Sequence, residues 1–142
     1  PIVMVDVPGG NYWHTWTDFV REQLLGRKLI SPEDLALFRI TDNVNEAVEE
    51  ILHFYRVFHS YRYVGPDLVF RLNMPLSEAK MDVLNRDFRD LLASGDFRLG
   101  EALPGENSEA EMASMPRLIF RARRRSFGRL RELIDEVNRS ED

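Results

Sequence analysis

The run Ile2-Val3-Met4-Val5-Asp6 is apolar without alternation and stops in Val7-Pro8-Gly9-Gly10. That is the pattern of a strand covered on both faces, where neither side has to meet water. An amphipathic helix follows, then Ser31-Pro32-Glu33-Asp34, a second short strand and a second helix. A β-α-β-α order belongs to a parallel sheet with helices packed on its faces. Two strands cannot bury such a unit, so a chain opening one residue before this strand is expected to be the back part of a larger α/β fold.

Periodicity sets the elements of residues 1–60. From about Thr15 to Leu25, Trp16, Phe19, Val20 and Leu24 recur at helical spacing, and Gly26 is placed as the residue that closes the helix. Ser31 with Pro32 and two acids marks a short helix start. Phe38-Arg39-Ile40-Thr41 reads as a strand. Asp42 or Asn43 then caps a helix whose apolar stripe is Val44, Ala47, Val48, Ile51, Leu52 and Tyr55.

From residue 61 the pattern changes. Phe58 to Pro66 reads as an aromatic connector, and Leu68, Phe70 and Leu72 alternate as a half-exposed strand. Ser77 caps a helix to about Ala93, with Ala79, Val83, Leu84, Phe88, Leu91 and Leu92 inward and Gly95 ending it. Phe97 and Leu99 suggest a strand, Leu103 to Met115 a mobile loop, and Leu118, Phe120 and Ala122 a further strand. A last helix carries Phe127, Leu130, Leu133, Ile134 and Val137. Residues 61–142 are therefore expected to form a small α+β domain, β-α-β-β-α, of the ferredoxin-like kind without its last strand.

Composition narrows the function classes. At 44% hydrophobic and 30% charged the chain is built to fold. Without cysteine it has no disulfide framework, thiolate metal site or thiol nucleophile. The apolar runs are far shorter than the roughly 20 residues of a membrane span, and a cytoplasmic location is expected. A net charge of −5 argues against nucleic acid as a partner. The acidity is uneven: residues 1–60 hold five Arg/Lys against nine Asp/Glu, whereas residues 61–142 hold fourteen against fifteen. Five of those arginines, Arg117, Arg121, Arg123, Arg124 and Arg125, fall within nine positions.

Residues 1–58 carry a recognisable series: Pro1-Ile2-Val3-Met4-Val5, Tyr12-Trp13, Trp16 with Asp18-Phe19-Val20-Arg21-Glu22, Leu29-Ile30-Ser31-Pro32-Glu33-Asp34-Leu35 with Phe38, and Glu46-Ala47-Val48 with Ile51 and Phe54-Tyr55. In order and spacing it resembles the C-terminal part of the LONELY GUY family, Rossmann-like proteins often labelled "possible lysine decarboxylase". The resemblance implies a nucleoside 5′-monophosphate phosphoribohydrolase, which hydrolyses the N-glycosidic bond to release a free base and ribose 5-phosphate. It further implies purine or cytokinin nucleoside monophosphates as ligands of the intact protein and a homo-oligomer (usually a dimer); no cofactor is assigned. The family's Pro-Gly-Gly-x-Gly-Thr-x-x-Glu motif is absent. Pro8-Gly9-Gly10 is followed by Asn11-Tyr12-Trp13-His14, with neither Gly-Thr nor the glutamate. No catalytic residue is carried over, and the segment alone is expected to be inactive. The portion from Tyr61 on matches nothing in the short members and is read as an appended domain.

Two groups of residues are candidates for binding. Asp6, Asn11, Tyr12 and Trp13 lie after the first strand, at the carboxyl edge where open α/β sheets bind ligands. They either line a nucleotide pocket or, for Tyr12 and Trp13, pack the following helix on the sheet. Strand alternation also puts Arg71, Arg98 and Arg121 on one face of the second sheet, where like charges need compensation. An anionic ligand, an acidic partner or the glutamate-rich 101–111 loop would supply it, the alternative being a solvated face with local ion pairs. His14, His53 and His59 have no ligand spacing, and no metal is assigned. A non-catalytic ligand-sensing or oligomerisation module is the alternative to the enzyme.

Overall fold

A computed structural model describes residues 1–106, 112–124 and 126–139. The chain is mixed α/β, with a two-stranded parallel sheet and a four-stranded antiparallel sheet. It divides into two units, residues 1–54 with 126–132, and residues 55–125 with 133–142. None of the helices among the described residues is long and apolar enough to cross a membrane.

In the first unit, β1 (Ile2–Val5) pairs in parallel with β2 (Phe38–Thr41), Ile2 opposite Phe38 and Val5 opposite Thr41. Between them run α1 (Tyr12–Phe19), a π-helical continuation Val20–Leu25 and a 3₁₀ turn Pro32–Leu37; α2 (Val44–Phe54) follows. The helix expected from Thr15 starts three residues earlier, so Tyr12 and Trp13 belong to its first turn. Gly26 does not close it in a left-handed conformation; it stays right-handed, and Lys28 takes the positive φ of 60°. The Ser31-Pro32 start is present, with Ser31 N donating to Asp34 Oδ2 at 2.9 Å. Asn43 is the cap of α2, its Oδ1 accepting from Asn45 N at 2.9 Å. At the other end of this unit Gly128 meets the Glu33 backbone so closely that a Cβ would lie 2.2 Å from the Glu33 carbonyl oxygen.

The second unit holds β3 (Phe58–Val64), β4 (Asp67–Leu72), α3 (Glu78–Asp87), β5 (Leu92–Gly100) and β6 (Arg117–Ala122), in sheet order β3-β4-β6-β5. The last helix, α4 (Phe127–Asn138), gives residues 126–132 to the first unit and the rest to the second. Two expectations are corrected. The aromatic connector 58–66 is mostly β3, a strand paired with β4 by a hairpin. The order is thus β-β-α-β-β-α, not β-α-β-β-α. The helix expected to reach Ala93 ends at Asp87, and Leu92 already belongs to β5. Phe88 leaves helical geometry and a 3₁₀ turn, Arg89–Leu91, leads into β5, while Asn85 ties helix to strand, its Oδ1 accepting from Phe97 N at 2.8 Å and its Nδ2 donating to Phe97 O. Of the stretch expected to be a loop, residues 107–111 lie outside the described residues, as does Arg125.

One face of this sheet carries Leu68, Phe70, Leu72, Phe97, Leu118 and Phe120, all buried with Leu84 of α3 and Leu133 and Val137 of α4. Edge-to-face ring contacts, Phe58–Phe70 at 5.0 Å and Phe70–Phe120 at 5.3 Å, run through it. Two polar contacts fix the end of α4. Lys80 Nζ donates to Glu136 O and to Glu136 Oε1, both at 3.0 Å, so a buried lysine neutralises a buried carboxylate and helps cap the helix. Asn138 Oδ1 accepts from Val57 N at 2.8 Å and from Phe58 N at 3.0 Å, holding the start of β3. Asn138→Ala removes the acceptor from two buried amides, and a loss of about 2–4 kcal/mol in urea unfolding is expected; a loss below about 0.5 kcal/mol would show that water replaces it.

Candidate functional site

The first candidate group gathers where β1 and β2 end. Asp6 organises the turn: Oδ1 accepts from Val7 N at 2.9 Å and Oδ2 from Trp13 N at 3.4 Å. Gly9 N donates to Asp42 Oδ2 at 2.8 Å, which joins this loop to the one after β2. The Trp13 indole donates to Val5 O at 3.3 Å and packs edge-on to Trp16, which in turn meets Phe38 at 5.1 Å. Trp13 therefore packs α1 on the sheet, whereas Tyr12 is 69% exposed beside it, their rings 4.9 Å apart. Asn11 caps nothing with its side chain; its carbonyl accepts from Thr15. Of the four residues, Asn11 and Tyr12 are the exposed side chains, and Asp6 shapes the loop that presents them.

The second group is set by ladder register. Arg71 lies opposite Arg117, and Arg98 lies opposite Ile119. Residues 117, 119 and 121 share a face, so Arg71, Arg98 and Arg121 do as well, with Arg117 among them. They do not form one cluster. Arg98 and Arg121 share Asp67, at 3.9 and 3.5 Å, and stay half exposed or more. Arg71 belongs with Arg117, and both bind Glu106: Arg71 Nε to Oε2 at 3.3 Å, Arg117 Nε to Oε1 at 3.1 Å.

Glu106 and Arg117 have side chains that are 0% exposed. The rest of the Arg117 guanidinium is used by backbone carbonyls, Nη1 donating to Met115 and Nη2 to Met112 at 2.8 Å. Leu103 N also donates to Glu106 Oε1. Gly105 lies so near Val64 that a Cβ there would be 2.8 Å from Val64 Cγ1. The described parts of the stretch between β5 and β6 thus lie over this face, and Val69 and Ile119 are buried on it. The 101–111 loop is one of the compensators expected for the arginines; Glu106 serves in this way for Arg71, whereas Asp67 serves Arg98 and Arg121.

Two members of the face were missed by the sequence reading. Arg117 was legible by the alternation that placed Arg121. Arg62 is not visible from the sequence, because its strand has the aromatic and polar make-up of a connector; it stands opposite Val69 on the same face. Among the described residues no group of three His, Asp or Glu side chains is arranged to hold a metal ion. His59 instead contacts Ser60, Nδ1 to Oγ at 2.9 Å.

Comparison of the chain with protein-family models, with curated proteins and with solved structures gives no match.

The Glu106 contact makes a sharp prediction. Glu106→Ala leaves two guanidinium groups buried without their carboxylate, and a loss of about 3–5 kcal/mol in chemical denaturation is expected. Glu106→Gln, which keeps the shape and an acceptor, should lose less. Equal losses would mean that the charge is immaterial and only packing counts.

Proposed function

We propose that residues 1–58 are the C-terminal part of a Rossmann-like nucleotide-binding domain of the LONELY GUY kind, acting in hydrolysis of the N-glycosidic bond of a purine or cytokinin nucleoside 5′-monophosphate. The parallel β1–β2 pair supports the reading, as does a polar loop at its carboxyl edge, the place where such sheets take nucleotides. The observation that carries it is the apolar surface of this unit. Ile2 is 56% and Leu52 67% exposed, and Val5, Val48 and Ile51 are exposed with them. Apolar strand and helix faces of this extent mark contact with further protein, as expected of one part of a larger nucleotide-binding sheet or of an oligomer.

In this reading the residues described here hold and cover the nucleotide, and bond cleavage belongs to a glutamate in the family motif that these 142 residues lack. Asp6 keeps the loop in shape and Tyr12 offers an exposed ring for stacking on a base. A second reading, a non-catalytic oligomerisation module, is favoured by the exposed stripe on α2, and sedimentation analysis separates it, since it requires self-association without turnover.

The test is release of free base from AMP and from cytokinin monophosphates by the complete gene product. Turnover is expected there, and none from residues 1–142 alone. In the active protein Tyr12→Ala should raise KM by about tenfold, close to the 1.4 kcal/mol of a modest stacking contact. Absence of base release from every nucleoside monophosphate tried would remove the reading.

A further inference from the structure

Among the described residues, the outer face of the four-stranded sheet carries more arginines than acids. By register it presents Arg62, Arg71, Arg98, Arg117 and Arg121, against Asp67 and Glu106. Asp67 accounts for Arg98 and Arg121, and Glu106 for the Arg71–Arg117 pair. Arg62 has neither. Its Nε is buried and has no hydrogen-bond partner among the described residues.

That is an unusual place to leave a guanidinium. A buried donor with no acceptor is costly, and the two diagonal neighbours of Arg62 on β4 are Arg71 and Asp67, the latter already shared by Arg98 and Arg121. Ser60, directly opposite Arg71, adds a hydroxyl on the same face and strand as Arg62. β3 is an end strand of the sheet and Arg62 as a whole is only half buried, so part of its side chain reaches the surface.

We propose that Arg62, with Ser60 and Arg71, forms a binding site for a small oxyanion, the phosphate or carboxylate group of a metabolite, at the β3 edge of the second unit. The chemistry follows from the guanidinium fork. Nε–H and one Nη–H point the same way and grip two oxygens of one group, which satisfies the buried donor and offsets the excess charge together. Glu106 shows that the same face accepts a dehydrated oxyanion, since its carboxylate is held by Nε of Arg71 and Nε of Arg117. This site lies wholly in the second unit and does not depend on the nucleotide reading of the first.

The test uses the 142-residue chain labelled with nitrogen-15 and follows arginine Nε–H resonances, with the Arg62 peak assigned by its absence in Arg62→Lys. Inorganic phosphate, AMP and succinate are titrated separately at constant ionic strength. A saturable shift of the Arg62 peak with phosphate or AMP identifies a phosphate site, and one with succinate alone a carboxylate site. Binding should weaken at least tenfold in Arg62→Ala and remain within twofold in Arg98→Ala. No saturable shift with any of the three, or affinity unchanged in Arg62→Ala, overturns the proposal.

Discussion

Burying the Glu106 carboxylate between Arg71 and Arg117 removes three charges from water, a step that costs several kcal/mol per ion before any attraction is counted. The cost is met by saturation. Arg117 spends Nε on the carboxylate and its two terminal nitrogens on the Met112 and Met115 carbonyls, so little of its hydrogen-bonding capacity is wasted. Because those partners lie between β5 and β6, the same contacts hold that connection on the sheet. Val69 and Ile119 lose their exposure as a result. The second unit thus covers one sheet face with helices and the other with an ion-paired strap.

The first unit is organised differently. Its two strands share a parallel register and a polar clasp at one end, through Asp6, Gly9 and Asp42. Its apolar side chains are covered only in part, with Val20, Ala47 and Phe54 buried and most of the α2 stripe exposed. Arg131 compensates Glu50 at 2.6 Å and lies over the Phe54 ring at 4.8 Å.

Much of this was legible in the residues. Period-2 alternation placed β4 and β6 and put Arg71, Arg98 and Arg121 on one face, because alternation is a local property. The Ser31-Pro32 signal marked its turn correctly. What local pattern did not show was set by distant partners. β3 was hidden because its aromatic and polar residues resemble a connector until Asp67–Leu72 pairs with it. The early start of β5 brings Phe97 to Asn85 of α3, twelve residues before it. Pairing within the arginine face was decided by Asp67 and Glu106, neither of which alternation ranks above other acids. For the first candidate group the sequence located the loop, but not that Asp6 serves the backbone.

The Asn138 clasp has a consequence for how the chain is made. Its amide oxygen holds Val57 and Phe58, 81 and 80 residues earlier. During synthesis at roughly 5–20 residues per second, the opening strand of the second sheet waits about 4–16 s for that oxygen to exist. Through that interval the Val57 and Phe58 amides lack the acceptor that they have in the folded chain. A nascent chain stalled short of its last helix would therefore hold a sheet whose first strand is unanchored at its root, and such a strand is the part most exposed to pairing with the wrong neighbour.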